Sequence, residues 1–144
     1  MARVESSGLD DLIAEMHKLG EDAGPAAEAI CMACAEIIRE EWEIAAEQAG
    51  HRITGGLIRS IGYARKPKRV DDAWSIAVYP QGTVPGKLDI DGRPLRRAAV
   101  AFRLHYGTRG NPGSRFVEVA ETRARARTTA KAQEIWERYL RQKG

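Results

Sequence analysis

The sequence predicts an α+β fold: two N-terminal helices, the second of them long, a small antiparallel β-sheet, and a long C-terminal helix. Three observations predict it. Apolar residues recur at steps of three and four from Pro25 to about Ala49 and again from about Phe116 to Gln142, the spacing of one helical face. Between these stretches, short alternating runs are bounded by Gly, Pro and basic residues, as strands and their turns are. The length, 144 residues, suits a single domain over 1–144 with one core.

In chain order, the first helix starts near Leu9, with Ser7 as N-cap and Asp10 and Asp11 set against the helix dipole. Leu9, Leu12, Ile13, Met16 and Leu19 form its buried stripe, and Gly20 ends it. Gly24-Pro25 turns the chain into the long helix, where proline is tolerated because the first-turn amides have no intrahelical partner. The stripe of this helix is Ala27, Cys31, Cys34, Ile38, Trp42, Ala45 and Ala49, widened by Ile30 and Ile37, and Gly50 is its stop. Thr54 then caps a single helical turn, with Gly55 and Gly56 permitting close backbone approach and Leu57 and Ile61 anchoring it.

Ile61 to Arg65 is a short strand, Lys66-Pro67-Lys68-Arg69 a turn, and Ala73 to Tyr79 the returning strand with Trp74, Ile76 and Val78 on one face. A variable, exposed and mobile loop is expected at about 80–97, where Gly, Pro and Asp accumulate, although Lys87-Leu88-Asp89-Ile90-Asp91-Gly92 could add a small strand and turn. Leu95 to Leu104 carries an apolar run that suits a short helix leading into Tyr106-Gly107-Thr108. The last helix has Val117, Ala120, Ala124, Ala132, Ile135, Tyr139 and Leu140 on its apolar face.

Charge is distributed unevenly. Residues 1–50 hold twelve acids and three bases, net −9, and residues 51–144 hold eight acids and twenty bases, net +12. Glu36, Glu40, Glu43 and Glu47 form one stripe on the long helix, and Arg123, Arg127, Lys131, Arg138 and Arg141 form the opposite stripe on the last, with Arg123, Arg127 and Lys131 as its candidate interface. Such like charges repel weakly on a solvated face, and they also make a docking surface for a partner of opposite sign. The expectation is that the glutamate stripe of one subunit faces the basic stripe of its neighbour.

Chemistry-bearing patterns are weak. Cys31-Met32-Ala33-Cys34 lies inside a helix with no second ligand pair, which favours core packing over a zinc or redox site. His17, His51 and His105 lie far apart with no nucleophile or carboxylate beside them, and Thr54-Gly55-Gly56 lacks the spacing and lysine of a phosphate loop. The expectation is no enzyme, no catalytic residue, no metal and no cofactor. No apolar run approaches the roughly 18 residues needed to span a bilayer. With two cysteines and no signal-peptide pattern at Met1 to Asp11, the expected compartment is the cytoplasm. The basic half leaves a DNA-binding or packaging-associated role as the alternative, with at most non-specific contact to nucleic acid.

Two motifs, taken in order, carry a resemblance. Thr54, Gly55, Leu57, Ser60 and Ile61 follow a long helix as Thr-Gly-x-Leu-x-x-Ser-Ile, and Tyr106, Gly107 and Thr108 are followed by Pro112 and then by Phe116 at the start of the last helix. With the opening Gly8-Leu9-Asp10-Asp11-Leu12, this order resembles the tail-component or tail-completion (neck) proteins of long-tailed bacteriophages, of the gene-product-ten type. The likeness covers most of the chain outside about 80–97. It departs from the family at His51-Arg52-Ile53, where Pro-Val-Asp is usual, and at Arg115 and Val119, where prolines flank the Phe. The resemblance implies a virion structural protein at the head-tail junction or top of the tail, assembled in the bacterial host cytoplasm. It also implies a homo-oligomeric ring, a hexamer, with the connector, tail terminator or tail tube as partners and without catalysis.

Overall fold

The computed structural model describes residues 23–50, 55–70, 73–108 and 111–143. The expected first helix, Leu9 to Leu19, and Thr54 lie outside these residues. Among them the fold is mixed helix and sheet, organised on two long helices, α1 (Gly24–Gln48) and α4 (Phe116–Lys143). α1 carries Pro25 in its first turn, and Gly50, at φ +83, takes the left-handed conformation that stops it.

The two helices run antiparallel. Near one end of the pair Ala23, Ala26 and Ile30 pack with Ala132 and Trp136, and near the other Ala35, Ile38, Trp42, Ala45 and Ala46 pack with Phe116, Ala120 and Ala124. Small residues set the closeness of this seam: Ala35, Ala46, Ala120, Thr128 and Ala132 are completely buried. Thr128 is accommodated because its hydroxyl donates to the Ala124 and Arg125 carbonyls, at 2.9 and 3.0 Å, within its own helix. The buried face of α1 is therefore rotated from the expected stripe: Ala49 is exposed and Cys31 only half-buried, while Ala35 and Ala46 are inside. Ala27, Ile30, Ile38, Trp42 and Ala45 of that stripe are buried as expected, and the choice of Ala35 and Ala46 over Cys31 and Ala49 follows from where α4 lies against α1.

α2 (Gly55–Ser60) is a short helix that runs directly into β1 (Ile61–Tyr63). Leu57 drops into the core at 2 % exposure and the Ser60 hydroxyl donates to the Leu57 carbonyl at 2.6 Å. Gly56 permits close approach, since a Cβ there would sit 2.4 Å from the Arg97 guanidinium.

The expected hairpin forms in two sections. β1 pairs antiparallel with β4 (Val78–Pro80), Gly62 opposite Tyr79, and β2 (Lys68–Val70) pairs with β3 (Ala73–Ser75), Arg69 opposite Trp74. Two corrections follow. Lys68 and Arg69 belong to a strand and not to the turn, and the return from Ala73 to Tyr79 is broken at 76–77. Pro67 stands opposite that break and has no amide to continue the ladder. The inward face is as the alternation predicted, with Trp74, Ile76 and Val78 more buried than Ala73, Ser75 and Tyr79.

Where a loop was expected at about 80–97, the chain forms a further hairpin of β5 (Thr83–Leu88) and β6 (Pro94–Arg96). Its base is tied by the Gln81 amide to the Ser60 carbonyl, 2.8 Å, and by the Arg97 amide to the Gly82 carbonyl, 3.0 Å. α3 (Arg97–Tyr106) is the expected short helix. It ends at Gly107, φ +90, and a two-residue ladder of β7 (Gly107–Thr108) and β8 (Asn111–Pro112) leads to α4. The small antiparallel sheet is thus four separate two-stranded ladders among the described residues.

Candidate functional site

Of the residues that carry the resemblance, Tyr106, Gly107 and Phe116 lie at the corner between α3 and α4, and Leu57 and Ile61 lie in the core beneath it. Leu57, Ile61 and Phe116 share one buried cluster with Trp42 and Val78, and Phe116 meets Trp42 edge-on at a centroid distance of 5.8 Å. Burying side chains of this size contributes roughly 1.5–3 kcal/mol each. The Trp42 indole nitrogen finds no hydrogen-bond partner among the described residues, so the ring acts there as apolar bulk. Gly107 supplies the turn out of α3; Thr108 and Pro112 lie in the ladder beyond it. Tyr106 stays 53 % exposed, with the Arg115 guanidinium 5.0 Å from its ring centroid.

Close backbone packing builds this corner. The Ser114 and Arg115 amides donate to the Leu104 and His105 carbonyls, both at 3.0 Å, which satisfies the open end of α3. Gly113 is required, because a Cβ would lie 2.1 Å from the His105 carbonyl oxygen. Arg115 takes φ +55, uncommon for a residue with a side chain, as the backbone turns into α4.

His105 joins the two helices. Only 6 % exposed, it accepts a hydrogen bond at Nδ1 from the Val117 amide, 3.3 Å, one of the unpaired first-turn amides of α4. The role is that of an N-cap supplied by another helix. Burial pushes its pKa below the ordinary 6.5, which keeps Nδ1 an acceptor. Sequence spacing could not reveal this, because the cap acceptor arrives from twelve residues away through a tertiary corner.

The charged stripes meet within the chain at one residue, Arg127. Arg127 donates to Glu41 at 2.7 Å and to Glu40 at 2.9 Å, across the α1–α4 seam. Glu41 is 6 % exposed, and no stripe drawn on the outer face of α1 included it. Arg39 lies between Glu36 and Glu43, and the Tyr63 hydroxyl donates to Glu36 at 2.6 Å. The Arg39 guanidinium, and after it the Tyr63 hydroxyl, hold the Glu36 carboxyl down to about 2. Lys131 pairs with Glu134 at 3.4 Å, whereas Glu47 and Arg123 are exposed. Antiparallel packing thus places Glu40 and Glu41 of the same chain beside Arg127, one of the residues expected to meet a neighbour's glutamates.

Cys31 and Cys34 are half-buried, and burial, followed by the charge of Cys31, raises the Cys34 pKa to about 11. Its thiol lies 3.8 Å from the Thr128 carbonyl, a packing position. No group of three or more potential metal ligands occurs among the described residues, and no described helix is long and apolar enough to cross a membrane. Two open grooves lie on α4, one along Thr122, Arg125, Ala126 and Thr129 and one along Glu118, Val119, Thr122 and Arg123. Compared with protein-family models, curated proteins and solved structures, the chain matches none.

Proposed function

We propose that this protein is a virion structural component at the head-tail junction, or neck, or at the top of the tail of a long-tailed bacteriophage. It acts in tail completion or head-tail joining by assembling as a ring, through protein contacts alone. The observation that carries this reading is the meeting of the two motif halves: Leu57 and Ile61 from one and Phe116 from the other share a single core cluster, with Tyr106 and Gly107 at its edge. Motif residues far apart in sequence are thus parts of one structural unit. Support also comes from the rest of the surface, which offers charged faces and a projecting hairpin.

In this role the partners are further copies of the chain, forming a hexamer, and the connector, tail terminator or tail tube. The protein has no substrate and no cofactor. Electron microscopy of particles made by the parent phage lacking this gene tests the proposal. Filled heads beside separate, unattached tails are the expected result; intact virions would refute the neck role.

A further inference from the structure

Two exposed apolar features on neighbouring elements have complementary character. The first is the tip of the β5–β6 hairpin, where Leu88 is 67 % and Ile90 96 % exposed. This exposure is imposed by a built turn: the Asp89 carboxylate accepts from the Asp91 and Arg93 amides, both at 2.9 Å, and the Asp89 amide donates to the Arg93 carbonyl at 2.7 Å. Gly92, at φ +78, completes it. Ile90 is held outward, flanked by Asp89 and Asp91, with Lys87 near the end of β5 and Arg93 just before β6. An aliphatic side chain fixed in water on a tied turn gains nothing for the fold of its own chain, and its ordering cost before any binding event is already met.

The second feature is the outer face of α3. Phe102 and Tyr106, one helical turn apart, are 63 % and 53 % exposed with ring centroids 4.6 Å apart. Arg103 is exposed beside them, and Arg115 lies over Tyr106 while also 3.6 Å from Glu118. The patch is aromatic with a predominantly basic border, whereas the tip is aliphatic with acidic residues on both sides of Ile90. Both are open to solvent in the single chain, so the tip does not cover the patch of its own molecule.

We propose that the hairpin tip of one copy, with Ile90 as its anchor, seats on the Phe102–Tyr106 patch of the next copy. The charges fit: Asp91 comes to Arg103 and Arg115, and the apolar anchors meet at the centre, the arrangement from which most interface energy arises. Tip and patch are different surfaces, so the contact is head-to-tail, and repeated head-to-tail contacts form a ring when the rotation between successive copies closes on itself, and an open filament otherwise. This rests on the ring-forming part of the function proposed above and supplies the surfaces that reading lacks.

The test uses the full chain and the variants Ile90→Asp and Phe102→Asp, followed by sedimentation velocity, with far-ultraviolet circular dichroism as the folding control. Both substitutions fall on exposed side chains, so both variants are expected to keep the wild-type helical signal. The wild type is expected to form a closed oligomer and each variant to be monomeric. An equimolar mixture is expected to give a one-to-one heterodimer and nothing larger, because only the intact tip of Phe102→Asp can meet the intact patch of Ile90→Asp. A wild-type oligomer that either variant still forms would overturn this contact alone. A wild type that stays monomeric to millimolar concentration would overturn the ring reading along with it.

Discussion

His105 is the residue where local chemistry acts furthest. Its Nδ1 can accept from Val117 only while unprotonated, and burial favours that state. As pH falls below the ordinary 6.5, the unfolded chain takes up a proton at this position that the folded chain resists, so stability declines with decreasing pH. Glu36 adds a second decline on the same side, between its ordinary 4.5 and about 2, because the unfolded carboxyl protonates first. Urea midpoints measured from pH 7 to pH 3 should therefore fall in two stages. His105→Asn, whose side-chain oxygen can occupy the Nδ1 position without titrating there, should flatten the upper stage and leave the lower one. An unchanged upper stage in that variant would show that the proton is taken up elsewhere.

At the scale of elements, the α1–α4 seam combines small residues with a single buried carboxylate. Glu41 is compensated by Arg127, which is itself 45 % exposed at the side chain, so the pair is weaker than one fully inside the protein. Arg127→Ala should lower the unfolding free energy by about 1–3 kcal/mol, less than the roughly 3–5 kcal/mol for breaking a fully buried pair. Adding Glu41→Gln should recover part of that loss, because a neutral amide is cheaper to leave unpaired. Strict additivity of the two changes in chemical denaturation would mean that the residues are not coupled. The helices themselves were legible in the sequence, since 3.6-residue periodicity survives without tertiary information; α1, α3 and α4 stand close to their expected limits. The 83–96 hairpin was legible only in part: the strand and turn over 87–92 could be read as an option, but its full pairing could not. Pro85 and Pro94 stand within its strands, and its pairing is regular only at Thr83 with Arg96 and at Leu88 with Pro94. For the site, the anchoring of Leu57, Ile61 and Phe116 could be expected from their apolar character. The His105 cap and the choice of Arg127 as partner to Glu40 and Glu41 depend on which helices meet, which one sequence does not encode locally.

For the whole molecule, the division between an acidic first third and a basic remainder is partly closed inside the fold, through Arg127 and its two glutamates. What remains exposed on the basic side includes Arg65, Lys66, Lys68, Arg123 and Arg125, spread over a hairpin and a helix and interspersed with Glu118, Glu134 and Glu137. Dispersed charge of this kind supports weak, sequence-independent contact with phosphates. Duplex DNA should therefore bind at low ionic strength and be released on approach to physiological salt, as fluorescence anisotropy would read. Retention at physiological salt would favour the packaging role over tail completion.

The antiparallel pairing of α1 and α4 also has a consequence in time. The two helices that form the centre of the fold are separated by residues 49–115, and α1 is synthesised first. At about 5–20 residues per second, α1 waits about 3–13 s before even the first turn of α4 has been made. Throughout that interval Ile30, Ile38 and Trp42 lack the surface that will cover them. Each new chain thus passes through a sticky adolescence on the ribosome, when a chaperone or a neighbouring nascent chain has its best opportunity to intervene.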